Sequence, residues 1–391
     1  MINNKDADFK IFNQNEGLGG FKDGAYDPYS IQPTHINWTR QSKYIGPKKS
    51  LVLHEMKLPC YTYNDSFVVG REGIIYIGCH EGFLLAIKPE EGIIWEYKHT
   101  TSIQTPVIGD AGTLYTGTYG DCRSMGHKLM AIDNSGSLIW ELDINYSALY
   151  LPVLDADGSI YIATEDTSLY SISKNGSLKW CCKRTFGYWS APFITRYGQV
   201  CIGSGDKYLH VLNQNGENIN SYNVGHGRDQ YAPIIDFNGT IYFNSFIDDK
   251  GKLIALNING AKSWEYIPNN GEVWTSPALS KDGILYFGTS QFRLSAIRFD
   301  GSFLWEIVIK GFPICPPIIS NDGTIYYTTF NSIKGKDKSW ISAISPGGEI
   351  MWQYEISGQC SIPLLIGNGK ICIILKSMKR NFCILRIIGD S

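Results

Sequence analysis

One short segment of the 391-residue chain concentrates side chains that could carry chemistry. His226 stands between Gly225 and Gly227, and Arg228 and Asp229 follow directly. An imidazole titrates near neutral pH and a guanidinium binds anions, so the segment could hold an anion or transfer a proton. The same residues could instead form an Arg–Asp pair beside a solvent-exposed histidine. We therefore treat His226, Arg228 and Asp229 as candidate ligand-binding residues.

Aromatic side chains form the second candidate group, because they recur in short segments that each precede a proline by a few residues. At a single strand position an aromatic residue more often belongs to the core, but aromatic residues also dominate binding interfaces. Their grouping in four consecutive segments predicts a shared binding surface. The group consists of Tyr150, Tyr188, Trp189, Tyr231 and Trp274.

Other patterns indicate structure rather than chemistry. Residues 155–158 (DADG) begin like a calcium loop, but the bidentate glutamate is missing and the segment is typical of a turn. Cys181 and Cys182 directly follow Trp180, and we expect both to be reduced. The sequence contains no phosphate-binding glycine loop, nucleophile elbow or metal-binding helix motif. It therefore predicts neither a metal site nor a cofactor.

An internal repeat determines where these candidates lie. Seven prolines are each followed six residues later by a glycine, and Gly73 begins the series with Phe67 in the proline position. The eight copies are 39 to 46 residues apart, a period typical of four-stranded propeller blades. The seven pairs are Pro106 and Gly112, Pro152 and Gly158, Pro192 and Gly198, Pro233 and Gly239, Pro277 and Gly283, Pro317 and Gly323, and Pro363 and Gly369.

Each copy predicts four strands. In most copies an aromatic residue follows the glycine by three positions, an apolar stretch comes next, and a turn then leads into a tryptophan strand. In the fourth copy Cys201 replaces the aromatic residue and Asn220 replaces the tryptophan. A lone twisted sheet cannot bury both faces, so we predict that eight sheets close into a ring. The strand tryptophans are Trp95, Trp140, Trp180, Trp264, Trp305 and Trp352.

The last copy ends before a tryptophan strand of its own, whereas residues 35–41 (HINWTRQ) contain one. We predict an all-β fold: an eight-bladed β-propeller of four-stranded antiparallel blades, whose last blade is closed by an N-terminal strand that contains Trp38. Residues 1–34 would form an N-terminal arm and residues 35–391 a single propeller. The loops that lead into the innermost strands should share one face with the loops that join second and third strands. This loop face would carry the candidate residues.

The copies resemble the pyrroloquinoline-quinone-type repeat of the quinoprotein alcohol dehydrogenase-like propellers, as in GTIYFNS followed by LIALNINGAKSWEY. The resemblance implies the propeller fold. Its members include quinone-dependent dehydrogenases and the outer-membrane assembly lipoprotein that scaffolds barrel insertion. The Cys181–Cys182 pair lies closer to its tryptophan than the vicinal pair of those dehydrogenases does, and we place no calcium- or quinone-binding set in this chain. The resemblance therefore implies a fold more than a function.

Composition and charge limit the classes of partner. The chain has 35 Lys plus Arg against 37 Asp plus Glu, so it lacks the bulk positive charge of proteins that bind nucleic acids or membrane surfaces. It shows neither a signal-peptide pattern nor a run of 18 apolar residues. Its ten cysteines lack C-x-x-C spacing, which indicates reduced thiols. We expect a cytoplasmic monomer with no nucleic-acid partner and no membrane partner.

Two functions fit these observations. The first is a propeller that binds a peptide, protein or small ligand over its loop face and central funnel, without quinone redox activity. The alternative is an enzyme, an isomerase, lyase or cyclase of a small molecule or modified peptide, with His226 or a funnel carboxylate as acid or base. A buried histidine or carboxylate in the funnel, with a positioned partner, would favour the enzyme.

Overall fold

Eight antiparallel sheets form an eight-bladed β-propeller, as the sequence predicts. The computed structural model describes residues 45–62, 67–70, 73–109, 112–119, 127–144, 146, 148, 152–183, 192–195, 197–225, 233–236, 238–247, 250–257, 259–333, 336–361, 363–367, 369–377 and 382–390. Within these ranges, the structure contains no helix that is long and apolar enough to cross a membrane.

The first strand among the described residues, β1 (Leu51–Lys57), belongs to the last blade, and the other strands follow in blade order. Blade one contains β2 (Val68–Val69), β3 (Ile75–Gly78), β4 (Phe83–Lys88) and β5 (Gly92–Lys98). Blade two contains β6 (Ser102–Ile103), β7 (Val107–Ile108), β8 (Leu114–Tyr119), β9 (His127–Ile132) and β10 (Leu138–Ile144). Blade three contains β11 (Val153–Leu154), β12 (Ile160–Ala163), β13 (Ser168–Ile172) and β14 (Leu178–Lys183). Blade four contains β15 (Phe193–Ile194), β16 (Val200–Gly203), β17 (Tyr208–Leu212) and β18 (Asn218–Asn223).

The second half of the ring repeats this order. Blade five contains β19 (Ile234–Ile235), β20 (Ile241–Ile247), β21 (Lys250–Leu256) and β22 (Lys262–Tyr266). Blade six contains β23 (Ala278–Leu279), β24 (Ile284–Thr289), β25 (Arg293–Arg298) and β26 (Phe303–Val308). Blade seven contains β27 (Phe312–Pro313), β28 (Ile318–Ile319), β29 (Ile325–Ile333), β30 (Lys336–Ile344) and β31 (Ile350–Ser357). Blade eight contains β32 (Gln359–Cys360), β33 (Leu364–Gly367), β34 (Lys370–Ser377) and β35 (Phe382–Gly389), with β1 outermost.

The repeat glycines make the turns between first and second strands. All eight have φ between +65° and +85°, in the left-handed region that glycine adopts at no steric cost. In blade three, for example, the backbone N–H of Gly158 donates to the carbonyl of Asp155 at 3.0 Å. Each repeat glycine stands at a fixed distance from the proline before it, because one short strand separates the two residues.

The strand tryptophans join neighbouring blades. The indole of Trp180 lies over Gly216 of the next blade, where a Cβ atom would be 2.7 Å from the ring. Its Nε1–H donates to the carbonyl of Gln214 at 2.7 Å, and its ring centroid is 5.8 Å from that of Tyr161. The indoles of Trp95, Trp140, Trp264 and Trp305 repeat all three contacts. These tryptophans therefore dock each blade against the next.

A strand from near the N-terminus closes the ring. Strand β1 pairs antiparallel with β35, and Arg386 forms an ion pair with Glu55 across this junction. Just before β1, the carbonyl of Pro47 accepts hydrogen bonds from Nε1 of Trp352 at 3.2 Å and from the hydroxyl of Tyr326 at 3.0 Å. At the other interfaces, the carbonyl that accepts from the tryptophan Nε1 belongs to the turn of the next blade. For Trp352 of blade seven, Pro47 provides this carbonyl.

The closing strand is not the segment that the sequence suggested. Residues 35–41, with Trp38, lie outside the described residues, and the outer position of blade eight is filled by β1. In this strand His54 pairs with Ile387 at the place where other blades carry a tryptophan. The closing strand carries His54 instead of a tryptophan, so the prediction that the tryptophan segment 35–41 closes the ring is wrong.

The structure also contains a disulfide. Cys60 and Cys79 are bonded, with Cα atoms 6.0 Å apart, so the expectation that all cysteines are reduced is wrong for this pair. The bond connects the segment that follows β1 to the end of β3, and thus ties the closing segment to blade one. The adjacent Cys181 and Cys182 are not disulfide-bonded, as predicted.

Candidate functional site

One of the eight predicted ligand-binding residues, Trp274, lies within the described part of the chain. The predicted grouping of the eight therefore stays a prediction. The residues that lie outside the described ranges are Tyr150, Tyr188, Trp189, His226, Arg228, Asp229 and Tyr231.

The surroundings of Trp274 have the loop arrangement that the sequence predicts. Val273 forms a β-bridge with Thr289, and the backbone N–H of Trp274 donates to the carbonyl of Gly288 at 2.8 Å. The segment that leads into blade six therefore lies beside the loop that joins its second and third strands. At blade six the two sets of loops share one face.

Three aromatic rings meet on this face between blades six and seven. The ring centroids of Trp274 and Phe312 are 4.8 Å apart at an interplanar angle of 81°. The ring of Phe292 is 5.8 Å from that of Phe312 at 84°. Such edge-to-face pairs stabilise each other beyond their buried area. We call Trp274, Phe292 and Phe312 the aromatic cluster.

Phe292 stands in an unusual backbone conformation. Its φ is +56°, and the equivalent turn residues of blades one, three and four, Gly82, Thr167 and Lys207, have φ of +81°, +68° and +73°. A bulky residue in the left-handed region is strained by about 1–3 kcal/mol. The side chain nevertheless remains 41% exposed. The chain thus holds a large ring at the surface in a conformation that suits glycine.

A hydrogen-bond network holds the base of the Phe292 loop. The carbonyl of Phe292 accepts from the N–H of Ile309 at 2.9 Å. The next residue, Arg293, places Nη1 3.1 Å from Oε1 of Glu306, whose other oxygen accepts from Ser295 at 3.0 Å. These bonds fix the backbone under the ring, so a partner that binds the ring orders little additional chain.

A second group of side chains lies on the loops of blades eight and one. The rings of Tyr61 and His80 have centroids 5.7 Å apart, and Nζ of Lys376 lies 5.5 Å from the Tyr61 centroid. The N–H of Tyr61 donates to Glu81 at 2.9 Å. Desolvation lowers the pKa of His80, Lys376 lowers it further and Glu81 opposes the shift. His80 is therefore mainly neutral at pH 7. The two disulfide-bonded cysteines, Cys60 and Cys79, directly precede Tyr61 and His80 in the sequence.

A buried histidine with positioned partners does occur, but away from the central channel. His210 is 6% exposed, with Nε2 2.8 Å from Oδ2 of Asp206 and Nδ1 2.9 Å from Oγ of Ser221. It lies on β17, the third strand of its blade. The same place on blade six holds Ser295 bonded to Glu306. The contacts of His210 are therefore a local form of a polar pair that recurs in the blades.

The DADG segment is a turn, as predicted. Oδ1 of Asp155 accepts from the N–H of Ala156 at 2.7 Å, and Asp157 accepts from the N–H and hydroxyl of Ser159 at 2.8 Å each. Burial raises the pKa of Asp155, and its Oδ2 has no hydrogen-bond partner among the described residues. For Asp157, bonds from Ser159 and Lys179 outweigh the opposing effect of partial burial and lower the pKa.

We expect the variant Asp155→Asn to melt at a higher temperature than the parent protein at pH 7. The folded protein holds the Asp155 proton to a higher pH than the unfolded chain, whose carboxyl titrates near pH 4. The contribution of Asp155 to the stability of the parent therefore falls as pH rises above about 4, and the amide avoids this loss. Melting temperatures measured from pH 4 to 7 should show the advantage growing with pH.

The neighbouring variant Asp157→Asn is the matched control, because the pKa of Asp157 shifts downwards. It should melt below the parent at pH 7, and the deficit should shrink as pH falls below about 4. Equal responses of the two variants to pH would contradict the assignment.

The fold family implies a quinone and a metal ion for its dehydrogenases, and the described residues do not include a set that fits the metal ion. In the part of the chain that the structure describes, there is no group of three or more His, Cys, Asp or Glu residues that could hold a metal ion. We therefore derive no step through either group.

Comparisons with known proteins agree with this fold. Residues 80–266 match the model of a family described as outer membrane protein assembly factor BamB. An uncharacterised protein, YxaL of Bacillus subtilis (strain 168), is 28% identical over 102 residues, which make up 25% of each chain. The chain thus matches about a quarter of the length of that relative.

Solved structures extend the likeness to the whole ring. BamB from Moraxella catarrhalis is 16% identical with a TM-score of 0.64, over 88% of this chain and 98% of that one. A europium-containing methanol dehydrogenase is 12% identical with a TM-score of 0.60, over 80% and 91% of the two chains. At these identities the likeness shows the fold alone. The chain is an eight-bladed β-propeller that is similar to the propellers of the PQQ-repeat type, which confirms the predicted resemblance.

Proposed function

We propose that this propeller binds a protein or peptide partner over its loop face and that the aromatic cluster anchors the partner. The observation that carries the proposal is Phe292, a ring held 41% exposed at φ +56° against Phe312. Backbone strain at an exposed bulky residue is typical of binding sites. Aromatic rings at the centre of an interface contribute most of its binding energy.

The comparisons support partner binding in general terms. The family that matches residues 80–266 and the Moraxella catarrhalis structure both carry the name BamB, described for the family as an assembly factor. A protein that assists assembly acts on other proteins. Transfer of that role to this chain is part of the proposal.

The enzyme alternative and the cellular location both stay predictions. His210 lies on β17, the third strand of blade four, and the buried carboxyl of Asp155 lies in a turn between a first and a second strand. Neither of these two groups is on the loop face. A third buried group, His127, is 1% exposed and stands at the start of β9, directly after the loop that joins the second and third strands of blade two, so the enzyme alternative stays a prediction. A cytoplasmic location would require the Cys60–Cys79 disulfide to persist in a reducing compartment, where disulfides are rare.

Site-specific photo-cross-linking tests the proposed face. A photoreactive phenylalanine analogue is placed at Phe292, and in a second protein at Phe303, which is 54% exposed on β26 of the same blade. Both variants are produced in the organism from which the protein comes and are irradiated in those cells. The adducts are then identified by mass spectrometry. We expect one defined protein adduct from position 292 and none from position 303. Equal adducts from both positions, or none from position 292, would overturn the proposal.

A further inference from the structure

Three lysine side chains lie near the loop-face ends of the strands of blades eight and one. Each ammonium nitrogen is 3.6 to 5.5 Å from the centroid of an aromatic ring. The electron-rich face of a ring attracts a cation and so favours this position of the ammonium group. The pairs are Lys57 with Phe382, Lys98 with Phe83, and Lys376 with Tyr61. We call Lys57, Lys98 and Lys376 the lysine group.

Strand register places two of these lysines side by side. Lys376 of β34 pairs with Cys383, and Lys57 of β1 pairs with Ile384. The two lysines therefore flank adjacent positions of β35, one from each neighbouring strand.

Loop contacts connect the third lysine to the same place. The N–H of Tyr61, whose ring lies below Lys376, donates to Oε2 of Glu81 at 2.9 Å. The backbone carbonyl of Glu81 accepts a hydrogen bond from Nζ of Lys98. The Cys60–Cys79 bond joins the two segments that carry Tyr61 and Glu81. The loops under the lysine group are thus tied together, so a ligand that binds there orders little additional chain.

The lysine group gives this part of the molecule a local excess of positive charge, although the whole chain has a formal net charge of -2. His80 adds no full charge at pH 7, because burial and the nearby Lys376 lower its pKa. Glu81 is the one acidic residue in the described segments that carry the group, which are residues 57–62, 79–83, 98–103, 376–377 and 382–383. A patch of this charge attracts anionic ligands and excludes cationic ones.

We propose that the lysine group binds an acidic segment of a partner polypeptide, through the carboxylates of its Asp and Glu side chains. Three cations suit a short run of carboxylates, whereas a nucleic acid presents phosphates along its whole length and favours proteins with a broad positive surface. The proposal rests on the proposed function, because it assigns the chemistry of a second contact to the partner of the loop face.

Fluorescence anisotropy of a fluorescein-labelled octaglutamate peptide tests the lysine group in the full chain. We expect the parent protein to bind this peptide but not octaglutamine, and the affinity to fall as NaCl rises from about 20 to about 150 mM. The triple variant Lys57→Gln, Lys98→Gln, Lys376→Gln should bind octaglutamate at least fivefold more weakly than the parent. The test does not involve the aromatic cluster, so its failure leaves the cross-linking result at Phe292 unaffected.

A second triple variant is the matched control, because it removes the same amount of charge elsewhere. Its lysines lie beside turns between third and fourth strands, where each pairs with a carboxylate, and it should bind the peptide like the parent. The three substitutions are Lys88→Gln, Lys179→Gln and Lys262→Gln.

The variant Glu81→Gln supplies a readout of opposite sign. It removes the acidic side chain of the group and keeps an oxygen that accepts from Tyr61, so it should bind octaglutamate about twofold more tightly than the parent. Three outcomes would overturn the proposal: a parent that does not bind the peptide at low salt, equal losses in the two triple variants, or tighter binding of a thymidine octanucleotide than of octaglutamate.

Discussion

A chain that starts at Leu58, and so lacks β1, is expected to lose its cooperative thermal transition. Deletion leaves β35 as an unpaired edge and removes the Glu55 carboxylate from Arg386. It also removes the Pro47 carbonyl that Trp352 and Tyr326 share. An open edge and an unclosed ring remove the protection that closure gives a propeller. Domain stability is typically about 5–15 kcal/mol, so the loss of one strand of a blade can exceed it.

Circular dichroism and a dye that binds exposed apolar surface measure this outcome. A chain that starts at Ile45 is the matched control, because it keeps β1 and every closing contact described above. We expect the control to melt like the full chain. A chain without β1 that still melts cooperatively within a few degrees of the full chain would show that the ring closes by other contacts.

The repeat made the blades predictable because each of its residues has a local physical role. Gly158 and its equivalents adopt positive φ at a turn, and Trp180 and its equivalents lie on a glycine of the next blade. Both requirements recur at fixed spacing, so a single sequence displays them. The strand order within each blade follows from the same spacing.

Closure was mispredicted because the closing strand does not follow the repeat. Its tryptophan position holds His54, and its apolar residues Leu51, Val52 and Leu53 are 44%, 41% and 38% exposed. The Cys60–Cys79 bond was missed for a related reason. Its two cysteines are 19 residues apart and come together only when the segment after β1 packs beside β3.

The aromatic cluster was found in part. Trp274 precedes its proline by three residues and was selected, whereas Phe292 and Phe312 were not. Phe312 lies on the short strand β27, and its contact with Trp274 depends on how blades six and seven pack. Phe292 had a usable signal, because it stands in the turn position where blade one has Gly82. Thr167 and Lys207 hold the same turn position in blades three and four, so what distinguishes Phe292 is a large exposed aromatic ring at this turn.

The double variant Trp274→Ala, Phe292→Gly is expected to bind the partner at least 100-fold more weakly than the parent, a loss of about 2.7 kcal/mol of binding free energy. The reason is that it removes two of the three rings of the aromatic cluster. Its stability should be close to that of the parent. Loss of the Trp274–Phe312 contact costs stability, but glycine relieves the left-handed strain at position 292. The control variant Phe303→Ala removes an exposed ring from the outer strand of blade six.

The central claim is tested most directly by the affinity of the protein for the partner that is captured at position 292. This affinity is measured by calorimetry for the parent, the double variant and the control. The loop-face account predicts a loss of at least 100-fold for the double variant, no change for Phe303→Ala, and similar melting temperatures for all three. Unchanged affinity of a folded double variant would contradict it and would place the partner elsewhere on the ring.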